Sequence, residues 1–122
     1  MDPNPKVPLS DGTFLPLIGL GCLNFRPNDK TFNLNDFLMK AANAGYTHFD
    51  VTNNEAAIGD ALKLVFEAKR QMEDEDGEKI PDQYELAFPR EKIFVSYKVH
   101  NTPDIEKNIK QALQCTNPFS QL

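Results

Sequence analysis

Cysteine and histidine are the residue types of this sequence that most readily bind metal ions or act as nucleophiles. The chain has four of them, at Cys22, His48, His100 and Cys115. Their spacings match neither the Cys-x₂-Cys nor the His-x₃-His pairs of protein zinc sites. We therefore expect no metal site and ordinary core and surface positions for these side chains. Two cysteines so far apart make no disulfide framework, which favours a reducing compartment.

Gly19 and Gly21 suggest a phosphate loop, but the third glycine and an immediately following helix are missing, so we expect no dinucleotide fingerprint.

The elements that position these residues alternate between strand and helix. Asp11-Gly12 between short apolar runs predicts a hairpin. Apolar and β-branched runs predict three further strands, and helical spacing of apolar residues predicts three helices. The strands cover residues 17–21, 46–51 and 93–99, and the first two helices cover about 33–43 and about 55–72. The third helix starts at Thr102-Pro103-Asp104, and its expected buried face is Ile105, Ile109, Ala112 and Leu113. This order predicts an α/β fold with a parallel sheet.

Composition narrows the class of protein. The chain has 122 residues, enough for one domain, and a net charge of -5. An acidic balance argues against nucleic acid or an anionic membrane as the main partner. No run reaches the ~18 apolar residues of a membrane span, and the N-terminus lacks a secretory pattern, so we expect a soluble, cytoplasmic protein. Residues 73–89 are rich in Asp and Glu and predict a flexible acidic insertion.

Several stretches, taken in order, resemble the N-terminal part of the aldo-keto reductase family. They are VPLSDG at 7–12, LIGLG at 17–21, AGYTHFD at 44–50, NE at 54–55 with IG at 58–59, and REKIFV at 90–95 followed by Lys98. Together they cover residues 7 to about 114. The stretch AGYTHFD is the most specific of them.

The resemblance implies a (β/α)₈ barrel closed at the bottom by an N-terminal hairpin, and NADPH-dependent reduction of aldehydes and ketones. The family's catalytic set is Asp, Tyr, Lys and His. Carried over by position, the Asp falls on Asp50 and the Lys on Lys98, at the strand ends where barrel active sites are built. The two residues then form either a working acid–base pair or an ordinary strand-end ion pair, and Lys98 alone could attract an anion. The cofactor-binding positions fall on Gly21, Cys22, Leu23 and Asp50.

The sequence departs from the family at the catalytic tyrosine. The family places it on a short helical loop between the Asp and the Asn-Glu pair, whereas residues 50–55 are about three residues shorter and contain no Tyr. Tyr97 should face the helices and Tyr46 should lie about 13 Å too far back along its strand, at ~3.3 Å per residue, so neither replaces it. The family's His lies on a later strand, and neither His48 nor His100 corresponds to it.

Length is the second departure, since a barrel of this type takes ~250 residues. We expect residues 1–122 to form one partial domain, a hairpin plus three β/α units of an incomplete barrel, interrupted by the 73–89 insertion. Its strands are apolar enough to expect cover on both faces. The chain is then a truncated, inactive relative of the reductases. Alternatively, it is a non-catalytic module that completes its sheet by homo-oligomerisation or by docking on a full-length reductase. A small enzyme using Asp50 and Lys98 alone is the third interpretation.

Overall fold

The computed structural model describes residues 4–22, 31–52, 55–99 and 103–116 of the chain. The first elements are two strands, β1 (Lys6–Pro8) and β2 (Phe14–Pro16). They are followed by β3 (Leu20–Gly21), α1 (Leu34–Asn43), β4 (His48–Asp50) and α2 (Glu55–Glu67). The remaining elements are β5 (Lys69–Glu73), β6 (Lys79–Leu86), a 3₁₀ turn (Arg90–Lys92), β7 (Phe94–Ser96) and α3 (Ile105–Thr116). The predicted alternation of strands and helices is present. The positions Leu23, Asn53, Asn54, His100 and Thr102 lie outside the described residues.

The N-terminal hairpin follows from its turn residues. Strands β1 and β2 pair antiparallel, and Gly12 between them has a φ of 87°, a conformation that glycine adopts without steric cost. The side chain of Asn4 then fixes the hairpin to the sheet. Its amide donates to Ile18 O at 3.2 Å and to Thr47 Oγ1 at 3.3 Å, and its oxygen accepts from Ile18 N at 3.2 Å. Asn4 is buried, so these bonds offset its desolvation.

The central sheet is parallel, with strand order β3-β4-β7. One of its faces carries Phe49, Val51 and Val95 against α1 and α2. The core also includes the fully buried Leu38, Ile58, Leu62, Val65 and Cys22. Each large apolar side chain contributes about 1.5–3 kcal/mol by leaving water. This single layer of helices on one face gives a small α/β unit, and the described strands do not close into a barrel.

The other face of the sheet is polar, which corrects the expectation that both faces are apolar. Here β4 presents His48 and Asp50 while β7 presents Phe94 and Ser96, and all four are only partly buried. Alternation along each strand sends every second residue to this side. The completely buried residues Phe49 and Val51 therefore lie on the helix-facing side, and Phe94 is the apolar residue among the four on the other side.

Helix α1 begins and ends as predicted. Asn33 is its N-cap, with the side chain accepting from Asp36 N at 3.0 Å, and Gly45 follows the helix with a φ of 105°. Helix α2 ends at Glu67, five residues before the predicted end at Met72. The apolar period that the sequence shows at Ala68 and Met72 continues into a strand and not into the helix.

Regular structure also replaces the irregular segment predicted at 73–89. Strands β5 and β6 pair antiparallel into a hairpin with Gly77 in its turn, at a φ of 79°. The backbone bond from Ala87 N to Ala68 O, 2.8 Å long, closes its base. Both strands are exposed almost throughout, so no hydrophobic alternation marked them in the sequence. That this hairpin is an insertion within one domain stays a prediction.

Helix α3 contacts the molecule along one flank only. Gly59 of α2 lies directly beneath the carbonyl of Cys115, and a side chain at position 59 would overlap that oxygen. Ala112 is buried, but Ile105, Ile109 and Leu113 are 51%, 39% and 44% exposed, which corrects the prediction that all four form a buried face. No helix among the described residues is long and apolar enough to cross a membrane.

Candidate functional site

The parallel register places three residues side by side at the carboxyl end of the sheet. Gly21 pairs with Asp50, and Asp50 pairs with Ser96. Backbone bonds continue beyond this row, from Cys22 N to Asp50 O and from Val51 N to Ser96 O, each 3.0 Å long. The sequence predicted that Gly21, Cys22 and Asp50 would share this edge. Ser96, which completes the row, was not singled out.

The carboxylate of Asp50 is held by hydrogen bonds from neighbours on its own loop and on β7. Oδ1 accepts from Thr52 N at 3.1 Å, and Oδ2 accepts from the Ser96 hydroxyl at 2.9 Å. Partial burial by itself would raise the pKa of Asp50. The bonds from Thr52 and Ser96, with a smaller contribution from His48, outweigh it and hold the pKa below its ordinary value. Asp50 is therefore an anion at neutral pH and has no proton to give.

His48 extends this network along the polar face of β4. Its Nε2 lies 3.0 Å from Ser96 Oγ and its Nδ1 lies 3.3 Å from the carbonyl oxygen of Pro16. The ring also packs edge-on against Phe94, with centroids 5.0 Å apart. A hydrogen-bonded series thus runs from Pro16 at the end of the hairpin through His48 and Ser96 to Asp50. Spacing could have indicated that His48 and Asp50 share one face of β4, because they are two residues apart on one strand, but not that Ser96 joins them.

Lys98 lies at the end of β7 but does not pair with Asp50. Its backbone N–H donates to Thr52 Oγ1 at 2.9 Å, while its side chain is exposed. Within the part of the chain that the structure describes, no salt bridge joins Lys98 to Asp50. The ion pair considered for the strand ends is therefore not formed there, and the hydrogen bonds that hold the Asp50 carboxylate come from Thr52 and Ser96. The catalytic roles assigned to Asp50 and Lys98 by resemblance stay predictions.

The cofactor-binding positions carried over by resemblance differ in accessibility. Gly21 is exposed, with open space where a side chain would stand. Cys22 is completely buried, and burial together with the nearby Asp50 carboxylate raises the pKa of its thiol to about 12. Its thiolate is therefore negligible at neutral pH, so Cys22 acts as a core residue. Leu23 lies outside the described residues.

None of the three tyrosines of the chain lies between Asp50 and Glu55. Tyr46 precedes β4 and Tyr97 follows β7, and both pack partly buried against the core. Tyr84 lies on β6 and is 58% exposed. That Tyr97 faces the helices stays a prediction. The segment that follows Asp50 and leads into α2 therefore contains no tyrosine.

The two cysteines and two histidines are the residues of the chain that most readily bind metal ions. Of these, Cys22 is buried below the strand end, His48 bonds to Ser96 and Pro16, and Cys115 lies on α3 over Gly59. His100 lies outside the described residues. Across residues 4–22, 31–52, 55–99 and 103–116, no group of three or more metal-binding side chains comes together.

Comparison with curated proteins relates the chain to one family. It is 34% identical over 120 residues to the mouse protein named aldo-keto reductase family 1 member A1, and 31% identical over 120 residues to the rat protein of that name. The Pongo abelii protein of the same name is 34% identical over 117 residues. Each alignment covers at least 93% of this chain but about 31% of the relative, so the chain spans about a third of their length. No protein-family model matches.

Solved structures show the same relationship at the level of the fold. An aldo/keto reductase from Brucella melitensis superimposes with a TM-score of 0.60 at 21% identity, covering 93% of this chain and 37% of that one. A Bombyx mori aldo-keto reductase in complex with NADP gives a TM-score of 0.55 at 18% identity, covering 93% and 34%. The fold is thus a fragment of the barrel of these enzymes. The resemblance to aldo-keto reductases found in the sequence is confirmed, over about a third of their length.

Proposed function

We propose that this chain keeps the strand-end framework of the aldo-keto reductases and does not reduce carbonyl groups by their route. The observation that carries the proposal is the position of its tyrosines, none of which lies in the segment from Asp50 to Glu55. Hydride transfer to a carbonyl carbon leaves charge on the oxygen, which needs a proton donor within hydrogen-bond reach. Asp50 is ionised and Cys22 is buried, so neither supplies it.

The cofactor that the resemblance implies is NADPH, and the described strand end fits it poorly. The open space at Gly21 leaves room for the neutral nicotinamide ring, and the Asp50 carboxylate could accept a hydrogen bond from the amide group of that ring. The phosphates of NADPH need cations or backbone N–H groups to bind them. Among the described residues at this end of the sheet, the cation is Lys98, two residues beyond β7. We therefore derive no reaction step through the cofactor and expect this chain to bind it weakly.

A chimera tests the effect of the missing tyrosine separately from that of length. The segment of the mouse relative that matches residues 50–55 would be replaced by that of this chain. We expect aldehyde reduction to fall by about 10² to 10⁴-fold, the usual contribution of a general acid. A chimera that carries only residues 51–52 while keeping the tyrosine loop serves as the control. Retained activity in the first chimera would contradict the proposal.

The purified chain provides the complementary measurement. We expect no aldehyde-dependent NADPH oxidation by the chain above that of buffer. Oxidation that disappears in the variant Lys98→Met would show that the strand end is catalytic after all. The cytoplasmic location predicted from the sequence also stays a prediction.

The second candidate function is that of a binding module that covers its free surfaces with a partner, either another copy or a full-length reductase. The exposed row on α3 favours it, because Ile105, Ile109 and Leu113 follow one another at intervals of four residues on a single face. Apolar side chains grouped in this way are typical of contact surfaces.

Light scattering after size-exclusion chromatography tests this candidate. We expect a discrete complex, with itself or with the mouse relative, that is weakened by Ile109→Lys. Leu64→Lys is the matched control, because Leu64 is 47% exposed on α2, outside the row. A monomer that forms no complex, or equal effects of the two substitutions, would exclude α3 as the contact.

A further inference from the structure

We propose that the groove between the N-terminal hairpin and the start of β7 binds a small aryl phosphate, which is a flat aromatic ring that carries a doubly charged phosphate group. This inference goes beyond the loss of carbonyl reduction and does not depend on it. It rests on three properties of the groove, namely its size, its charge and the aromatic rings that line it.

The groove has a volume of about 510 Å³, within the range of about 300–1,000 Å³ that is typical of pockets for small molecules. The residues that line it are Lys6, Thr13, Phe14 and Pro16 from the hairpin and residues 90–95 from the 3₁₀ turn and β7. Because the 3₁₀ turn precedes β7, the groove lies towards the amino end of this strand. It is therefore separate from the row of Gly21, Asp50 and Ser96 at the carboxyl end of the sheet.

The groove is positively charged, although the chain as a whole has a net charge of -5. Its cations are Lys6, Arg90 and Lys92, and its one carboxylate is that of Glu91, which leaves a net charge of +2. Among the described residues no salt bridge holds Lys6 or Lys92, so an anion need not displace a carboxylate from either ammonium group. A phosphate monoester carries about two negative charges at neutral pH, which matches the charge of the groove.

The guanidinium of Arg90 is the most firmly held cation of the groove. It donates to the carbonyl oxygen of Ile93, and its Cζ lies 5.8 Å from the centroid of the Phe66 ring. Partial burial lowers the pKa of Arg90, but a guanidinium keeps its charge at neutral pH. A phosphate would therefore bind without first ordering this side chain, and the flexible stems of the two lysines let their ammonium groups turn towards it.

Aromatic rings line the same groove as the cations. Phe14 and Pro16 are two residues apart on β2, and Lys6 is the cross-strand partner of Pro16, so these three side chains share one face of the hairpin. Phe14 is 58% exposed, and Phe94 lines the groove from β7. An aromatic ring that stacks on Phe14 removes apolar surface from water while its phosphate stays beside the cations. The groove therefore favours an aryl phosphate over inorganic phosphate.

An NMR titration of the purified chain with phenyl phosphate tests the proposal. Inorganic phosphate, which lacks the ring, and phenol, which lacks the phosphate, are the comparison probes. We expect saturable binding of phenyl phosphate, with amide shifts at Phe14 and residues 93–95, and about two- to tenfold weaker binding of inorganic phosphate, as expected for the loss of one aromatic contact. Equal affinity for the two phosphates, or shifts confined to the strand end around Gly21 and Lys98, would overturn the proposal.

Charge substitutions locate the phosphate. Lys6→Gln and Lys92→Gln should each weaken the binding of phenyl phosphate roughly two- to fivefold, as expected for one exposed charge pair. Lys107→Gln removes the same charge from α3, away from the groove, and should leave the affinity unaltered. If neither groove variant differs from Lys107→Gln, the phosphate is not bound here.

A further substitution locates the ring. Phe14→Ala should lower the affinity for phenyl phosphate to that for inorganic phosphate and leave the affinity for inorganic phosphate unchanged. Tyr84→Ala is the matched control, because Tyr84 is also 58% exposed and lies on β6, outside the groove. Equal effects of these two substitutions would contradict the proposed stacking on Phe14.

Discussion

At the scale of single residues, Ser96 links two groups that a sequence reader would have treated separately. Its hydroxyl donates to Asp50 Oδ2 and lies 3.0 Å from His48 Nε2, so the carboxylate is held without help from Lys98. Serine is common on strands, and only the pairing of β4 with β7 gives this one a particular role.

We expect Ser96→Ala to reduce stability by about 1 kcal/mol, the usual contribution of one hydrogen bond, and to raise the pKa of Asp50 towards its ordinary value. Because folding lowers this pKa, its contribution to stability is present above the unfolded-state pKa and is lost as pH falls through the folded one. The variant should thus lose less stability than the wild type on acidification below about pH 4.

Urea unfolding between pH 3 and pH 7, with an NMR titration of the Asp50 carboxyl carbon, measures both quantities. Ser10→Ala provides the matched control, because Ser10 is an exposed serine of the N-terminal hairpin turn, distant in sequence from the network. An unchanged carboxyl titration in Ser96→Ala would show that the 2.9 Å bond does not form in solution.

At the scale of elements, the contact of α2 with α3 depends on a missing side chain. Gly59 allows the carbonyl of Cys115 to lie against the α2 backbone, and this contact joins α3 to the molecule together with Ala112. Glycine in a helix ordinarily costs about 1 kcal/mol relative to alanine, so its presence here needs a reason in packing.

Gly59→Ala should therefore destabilise the chain by about 1–3 kcal/mol, the cost of overpacking, where helix propensity alone predicts a gain. Chemical denaturation gives the size of the effect, and hydrogen exchange should show the lost protection concentrated in α3. Asp60→Ala, on the exposed side of the same helix, should be near neutral. A more stable Gly59→Ala protein would mean that α3 is not packed in this way.

How far the sequence predicts each element depends on where its side chains lie. Helix α1 could be predicted directly, because Asn33 is a local start signal, Gly45 is a local stop signal, and the apolar residues Leu38, Ala41 and Ala42 are buried. The hairpin of β5 and β6 could not, because an exposed ribbon shows no apolar period and its Arg70–Glu85 ion pair joins residues far apart in sequence. The exposure of Ile105 could not be predicted either, because apolar periodicity shows which residues share a helix face but not whether another element covers that face.

The candidate site, too, could be predicted from the sequence only in part. The strand-end positions of Gly21, Cys22 and Asp50 follow from the alternation of strands and helices, which parallel pairing converts into one row. The bond between Asp50 and Ser96 and the separation of Lys98 from Asp50 depend on side-chain geometry, which spacing does not determine.

At the scale of the whole molecule, the β5–β6 hairpin forms a two-stranded sheet of its own, separate from the central sheet. Its base is closed by Ala68 and Ala87, and most of its side chains are exposed. A two-stranded ribbon of this kind contributes little to the core.

Replacing Lys69–Leu86 by a short glycine-containing turn should therefore change the free energy of unfolding by less than about 1 kcal/mol. Circular dichroism and urea unfolding would measure this, with Gly77→Ala as a milder variant that strains only the hairpin turn. A shortened protein that fails to fold would show that the hairpin stabilises the packing of α2 on the sheet, contrary to its description as an insertion.

The carboxamide of Asn4 has a practical consequence for handling the protein. It connects the residue two positions before β1 to both Ile18 and Thr47. A purification tag joined ahead of it leaves these bonds intact, whereas a protease that trims the chain beyond it would release the hairpin from the sheet. Preparations of this protein should therefore be checked by mass spectrometry for an intact fourth residue before any binding is measured.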